Sequence, residues 1–267
     1  MSKTVLITGA GSGLGRALAL RYAAMGCRVG IADLNLERAE AVRAEIEAAG
    51  GRALAFPVDI TSDEAWALLR DQVNSTWHGL DVLINNAGVA SGGATLEASI
   101  EDWRWMLEVN LLGVVRGCKT FAPDMLARGA GQIINIASFA GLAGAPGLSS
   151  YGVAKGGVVT LSEGLRGEFE PRGLKVSVVC PAFFKTNLLE NFRGSERMRK
   201  TAAKLMEEAR ESADDIAKAI VEAAERGVFL IIPTATERKR WRIKRWFPEF
   251  YYKQVQKLMR QRSGDKA

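Results

Sequence analysis

The sequence predicts an α/β fold, a doubly wound parallel sheet of seven strands forming a single domain, and three observations carry that prediction. Short β-branched apolar runs alternate with amphipathic helical patterns up to about residue 236. The first run, KTVLIT at 3–8, enters a glycine-rich turn, GAGSGLG, and then a helical pattern. No internal repeat divides the 267 residues, and the one shift in composition is a basic aromatic stretch from Glu237 to the end.

Composition excludes several classes of protein. A hydrophobic fraction of 48% with 25% charged residues suits a globular chain that buries a full core. No apolar run reaches the ~18–20 residues of a membrane helix. A strand already begins by Thr4, which leaves no room for a signal peptide, so a cytoplasmic protein is expected. Cys27, Cys118 and Cys180 lie far apart without a CxxC spacing, which predicts reduced buried thiols and no metal site. The one histidine, His78, sits in WHGLD, which resembles neither a catalytic triad nor a zinc site. The net charge of +6 is concentrated in residues 237–267, with 11 Lys+Arg against 3 Asp+Glu, while the first 236 residues hold 25 against 27.

Each element follows in order. In the turn after the first strand, Gly9, Gly13 and Gly15 have the spacing GxxxGxG, suited to close approach of backbone to a pyrophosphate and to an anion at a helix N-terminus. The second strand, RVGIAD, ends at Asp33, roughly 20 residues on, where a carboxylate can accept from both hydroxyls of an adenosine ribose and repel a 2′-phosphate. NAD is therefore favoured over NADP, with Arg16 and Arg38 as competing phosphate partners; a helix N-cap is the other role open to Asp33. The third strand, ALAFPVD, ends at Asp59, placed to meet the adenine or to serve a turn, before a helix capped by Thr61, Ser62 or Asp63. DVLINNAG at 81–88 is the fourth strand, its amide and small residues suiting a backbone that passes close to a cofactor. A long helical region from about Ser99 to Ala127 holds Asn110 in an apolar stretch, where an amide needs its hydrogen bonds met.

The fifth strand, QIINIA at 132–137, delivers Ser138. A loop rich in Gly and Ala follows, and a helix opens near Tyr151 with Lys155 one turn on, on the same face. An ammonium beside a phenol favours the phenolate, which makes Tyr151 a candidate general acid/base with a lowered pKa. KVSVVC at 175–180 is the sixth strand. After Pro181 the segment AFFKTNLLENFRG lacks a period and reads as a mobile loop, followed by a charged helical stretch from about Ser195 to Glu211, the two making a flexible substrate loop of about 182–212; a helix opened by Ser212 and the seventh strand, VFLIIP, follow.

Taken together, TGAGSGLG at 8–15, Asp33, Asp59, NNAG at 85–88, Asn110, Ser138, YGVAK at 151–155 and PAFFKT at 181–186 resemble the short-chain dehydrogenase/reductase family over residues 4 to about 235. The resemblance implies an NAD(P)-dependent alcohol dehydrogenase or ketoreductase, commonly a homodimer or homotetramer built on the long helices after the fourth and fifth strands. It implies catalytic roles for Tyr151 as general acid/base, Ser138 on the substrate oxygen, Lys155 on the nicotinamide ribose and Asn110 holding a relay water. Cofactor contacts would come from Gly9, Ser12, Gly13, Leu14, Gly15, Asp33, Asp59, Ile60, Asn86, Ala87, Gly88, Tyr151, Lys155, Pro181 and Thr186. Ala182 stands where the family usually has glycine. A substrate wall of Phe139, Leu142 and Phe183, joined by Val89, Phe184, Leu188 and Leu189, predicts a hydrophobic secondary alcohol or ketone beside Ser138 and Tyr151. A protein that binds NAD without turnover is the alternative, and the presence of all four catalytic candidates disfavours it. For the tail, packing over the substrate site or a neighbouring subunit competes with peripheral contact to an anionic membrane; nucleic acid is not expected as a partner.

Overall fold

Successive side chains of β1 (Thr4–Thr8) enter different cores: Val5 and Ile7 join one hydrophobic cluster and Leu6 the other. Such alternation without a polar residue between marks a strand covered on both faces. The computed structural model describes residues 2–186 and 188–264, the last three by backbone alone, and within them β1 is the third strand of a seven-stranded parallel sheet.

The other strands are β2 (Arg28–Asp33), β3 (Arg52–Pro57), β4 (Val82–Asn85), β6 (Gly131–Ile136), β7 (Leu174–Val179) and β9 (Leu230–Ile231), ordered β3-β2-β1-β4-β6-β7-β9. A separate pair joins β5 (Ser91–Gly92) to β8 (Arg193–Gly194). One face of the large sheet is covered by α1 (Gly13–Ala24), α2 (Leu36–Ala48) and α9 (Ala213–Glu225). The other is covered by α3 (Asp63–Trp77), α5 (Gly113–Arg128) and α7 (Ser149–Phe169). Full burial of side chains such as Leu83, Ile84 and Ile133 contributes roughly 1.5–3 kcal/mol each. The remaining helices are α4 (Ile100–Leu107), α6 (Phe139–Ala143), α8 (Glu196–Glu207), α10 (Ala235–Trp246) and α11 (Pro248–Gly264).

The helices begin where side chains satisfy the first backbone N–H groups. Ser62 caps α3 through Ala65 N, and Ser212 forms a reciprocal capping box with Asp215 at α9. Asn35, not Asp33, caps α2, which removes the capping role from Asp33. The expected third and fourth strands end earlier than their apolar patterns, at Pro57 and Asn85, leaving Asp59 and Asn86–Gly88 in the loops that follow. VFLIIP shortens to Leu230–Ile231 because an edge strand has a single partner, β7.

The strand order reverses between β1 and β4, and a crevice opens there beyond their carboxyl ends. Gly9 makes the turn out of β1 at φ 63°, and a Cβ on it would stand 2.8 Å from Ala87 Cα, so the two strand ends approach as only glycine permits. Among the described residues no helix is long and apolar enough to cross a membrane.

Candidate active site

The crevice widens into a cavity of about 1210 Å³ that runs from the glycine turn to the loop after Pro181. This exceeds the ~300–1,000 Å³ usual for one small ligand and suits two lying side by side. At one end it is lined by Gly9, Ser12, Gly13, Leu14, Gly15, Asp33, Asp59 and Ile60, and along its floor by Asn86, Ala87 and Gly88. Pro181 and Thr186 close the far side, with Ser138, Phe139, Tyr151, Lys155 and Phe183 around them.

Hydrogen bonds between strand ends hold the floor. Asn86 Nδ2 donates to Thr8 O at 2.8 Å and Gly9 O at 3.1 Å, while Asn86 N and Ala87 N both donate to Thr8 Oγ1. Asn85 donates to Asn135, which donates to Ser162 on α7, so the sheet and the helix carrying Tyr151 are linked through buried amides. Asp33 is fixed in the same manner: Oδ2 accepts from Gly11 N at 2.8 Å and Oδ1 from Asn35 N at 2.9 Å. Its carboxylate therefore faces the crevice in one orientation.

Ser138, at the end of β6, is the N-cap of α6 and accepts from Ala140 N. α6 lies against α7 at a close approach: a Cβ on Gly141 would come within 2.6 Å of the Lys155 carbonyl carbon and Gly156 N. That contact brings Ser138 near Tyr151. Lys155 is buried, and its Nζ donates to Ile136 O at 3.0 Å.

The electrostatics correct one expectation. Burial pushes the Tyr151 phenol above its ordinary pKa, and the Ser138 hydrogen bond opposes the rise without cancelling it. Burial also lowers Lys155, to about 8, with the Cys180 sulfur opposing. The Lys155 ammonium one turn from Tyr151 is expected from the sequence to stabilise a phenolate, but it is turned toward the strand carbonyl and is itself desolvated. Cys180 beside them is pushed up to about 12 by burial and remains a thiol.

Asn110 and Leu142 do not line the cavity. Asn110 is fully buried in a π-helical turn, Glu108–Leu112, between α4 and α5, where Oδ1 accepts from Val89 N at 3.1 Å and Nδ2 donates to Val89 O at 3.0 Å. It supports the wall from behind, and a Cβ on Gly88 would meet its Oδ1 at 2.5 Å. Leu142 turns inward to the core, because α6 presents Phe139 to the cavity and the opposite side to α7.

The segment expected as a mobile loop, of which Asn187 lies outside the described residues, is tied at three points. Arg193 N donates to Ala90 O and Ser195 N to Gly92 O in the β5–β8 pair, the Arg193 guanidinium stacks 4.0 Å over Trp105, and Glu190 accepts from Arg38 Nη1 at 2.7 Å. Val89, Phe184, Leu188 and Leu189 line the cavity as expected. Trp105, Glu190, Phe192, Arg193, Glu237 and Arg240 also line it, and sequence reasoning missed them as site residues. They sit on an amphipathic helix, an aperiodic loop and the tail, and no local pattern sets them apart; the unusual composition of the tail was the one available signal. α10 and α11 reach the site through α6, where Lys244 donates to Leu142 O and Tyr251 to Ala143 O at 3.2 Å.

Comparison with known proteins places this geometry. The family profile described as short chain dehydrogenase matches residues 3–197. A cyclohexanol dehydrogenase from Acinetobacter sp. (strain SE19) is 38% identical over 199 residues, covering 74% of this chain and 79% of that protein. A meso-2,3-butanediol dehydrogenase from Serratia marcescens is 40% identical over 187 residues, 70% of this chain and 73% of that protein. Among solved structures, a short chain dehydrogenase/reductase from Burkholderia phymatum in complex with NAD superposes with a TM-score of 0.88 at 29% identity, covering 93% of this chain and 95% of its own. A short-chain dehydrogenase from Sphingobium yanoikuyae in complex with NADPH gives 0.77 at 28% identity, with 96% and 95% covered.

Proposed function

We propose, from the premise that this chain belongs to the short-chain dehydrogenase/reductase family and is an NAD(P)-dependent oxidoreductase, that it transfers a hydride between NAD and a hydrophobic secondary alcohol or ketone. The observation that carries the reading is one continuous cavity with the glycine turn and Asp33 at one end and Ser138 and Tyr151 at the other.

The chain's own residues fit a dinucleotide. Gly9 at φ 63° leaves space that a side chain would fill, the N-terminal N–H groups of α1 face the crevice for a pyrophosphate, and the fixed Asp33 carboxylate suits ribose hydroxyls. The cofactor supplies the hydride chemistry. Tyr151 transfers the proton at the substrate oxygen, and Ser138 orients that oxygen by a hydrogen bond. Lys155 binds the nicotinamide ribose, Thr186 the carboxamide, and Asn110 holds the Val89 backbone and a relay water behind Lys155. Phe139, Phe183, Leu188 and Leu189 exclude water around the reacting carbon.

NAD is the preferred cofactor on two grounds. The Asp33 carboxylate repels a 2′-phosphate, and Arg38, the cation nearest that position in the lining, is engaged by Glu190. An NAD preference favours oxidation of the alcohol. The catalytic domain spans residues 1–236, with a substrate loop at about 182–212, and assembles as a dimer or tetramer.

The test is a screen of secondary alcohols with NAD and NADP, followed at the nicotinamide absorbance, on the wild type and Tyr151→Phe. The variant is expected to lose at least ~10³-fold in kcat while binding NAD normally. Tight NAD binding with no turnover of any alcohol would favour the non-catalytic alternative, and near-normal turnover by Tyr151→Phe would remove the tyrosine from its role.

A further inference from the structure

α10 and α11 present two chemically different faces. The inner face fastens them to the domain: Trp241 packs on the core cluster shared with α7, and Lys244 and Tyr251 hold the carbonyls of α6. The outer face exposes Trp246 at 72%, Phe247 at 65%, Phe250 at 56% and Leu258 at 59% of their areas. Large apolar side chains clustered in this way on an exposed surface mark a contact site. On α11 Phe250, Gln254 and Leu258 form one stripe at i, i+4, i+8, and Lys253, Lys257 and Arg260 form the adjoining stripe. Lys239 and Arg242 extend the charge along α10. Among the described residues none of these five cations forms an ion pair, whereas Arg16, Arg43, Arg70, Arg116 and Arg166 in the domain all do.

We infer that this face docks the enzyme on an anionic membrane surface, with Trp246, Phe247 and Phe250 at the level of the lipid headgroups and the cations against lipid phosphates. The pattern is that of an interfacial attachment, aromatic and basic with a low net hydrophobicity. Charge selects this occupant over a second copy of the chain. Residues 237–267 hold 11 Lys+Arg against 3 Asp+Glu, so a two-fold contact through the same face would set cations against cations. An anionic bilayer meets both the charge and the aromatics. The placement also has a use at the site: Glu237 and Arg240 of α10 line the cavity, so docking through this extension brings the cavity near a reservoir of apolar molecules. That consequence agrees with the hydrophobic substrate proposed above, while the docking itself does not depend on it.

The experiment is co-sedimentation of the full chain with phosphatidylcholine vesicles containing or lacking phosphatidylglycerol, beside sedimentation velocity without lipid. Wild type is expected to bind the anionic vesicles and not the neutral ones, and to be released as salt shortens the Debye length. The triple variant Trp246→Ala, Phe247→Ala, Phe250→Ala should lose more than about tenfold in partitioning, as should Arg242→Gln, Lys253→Gln, Lys257→Gln, with the oligomeric state and the turnover of a water-soluble alcohol unchanged. Absence of vesicle binding by the wild type, or equal binding by both variants, would overturn the proposal. So would dissociation of the oligomer in the aromatic variant without lipid, which would assign the face to a second copy.

Discussion

The two ends of the cavity are built differently. At the cofactor end the lining comes from the carboxyl ends of sheet strands and the N-terminus of α1, and the strand ends bond to one another through Thr8, Asn86 and the Asp33 carboxylate. At the substrate end the walls come from α6, the segment after Pro181 and the tail helix α10, which are held by a two-residue strand pair, single ion pairs and two hydrogen bonds to α6 carbonyls. The sheet sets the first end as part of folding, whereas the second depends on contacts that can change without unfolding the domain. A family can thus keep one cofactor and vary its substrates.

The largest effect that would break this contrast is at Gly9. In Gly9→Ala a Cβ is forced into the left-handed region and toward Ala87 Cα, 2.8 Å away on the adjoining strand end. Strain of this kind costs about 1–3 kcal/mol. Urea unfolding should register that loss, and NAD titration at least a tenfold weakening. The counterpart at the substrate end, Ala182→Gly, should alter KM for the alcohol and leave the unfolding midpoint nearly in place. Equal loss of stability in both variants would mean that the two ends are not built differently.

The same contrast explains what the sequence made legible. The cofactor end was readable because its residues lie at fixed offsets from strands that announce themselves as apolar runs: the glycine turn after KTVLIT, Asp33 after RVGIAD, and Asn86–Gly88 after the fourth strand. Asn110 was also visible, as an amide in an apolar helix, but its place behind the wall was not, since the π-turn that rotates it toward Val89 depends on packing between α4, α5 and α7. Leu142 was misplaced for a related reason, because in a helix of five residues the direction of each side chain is set by its neighbour α7. Trp105, Glu190, Arg193 and Arg240 meet only in the tertiary fold, and no periodicity brings them together in the sequence. The lysine and tyrosine one turn apart were legible as a pair, but the raised pKa of Tyr151 was not, because it is set by burial, which the spacing of two residues does not reveal.

Lys155 offers a smaller effect, which sharpens how the two ends are joined. Its folded pKa of about 8 lies below the ordinary lysine value of 10.5, so between those values the unfolded chain binds more protons than the folded one. The contribution of Lys155 to stability therefore rises with pH across that window, by roughly 2–3 kcal/mol between pH 8 and 10 on the basis of 1.36 kcal/mol per unit. The raised thiols of Cys118 and Cys180 act in the opposite sense above pH 9, and Tyr151 above pH 10, since in the unfolded chain each of them ionises first. Denaturation free energies from pH 7 to 10 should rise in the wild type relative to Lys155→Met, the thiols and Tyr151 being common to both. A flat difference between the two would mean that Nζ finds solvent or an anion in place of the Ile136 carbonyl.

The smallest effect joins the two ends through one ion pair. Arg38, at the cofactor end, is held by Glu190 of the substrate loop at 2.7 Å, both side chains being partly exposed. Exposed pairs of this kind contribute about 0–1 kcal/mol to stability, so Glu190→Gln should leave the unfolding midpoint unchanged. Selectivity is the sensitive readout. Without its carboxylate partner Arg38 is available to a 2′-phosphate, and kcat/KM for NADP relative to NAD should rise by up to about tenfold, equivalent to ~1.4 kcal/mol. The gain should vanish in Glu190→Gln with Arg38→Ala, because it acts through the arginine. If the cofactor ratio stays constant in Glu190→Gln, discrimination rests on Asp33 alone and the cofactor end is as independent of the substrate loop as its strand-end hydrogen bonds imply.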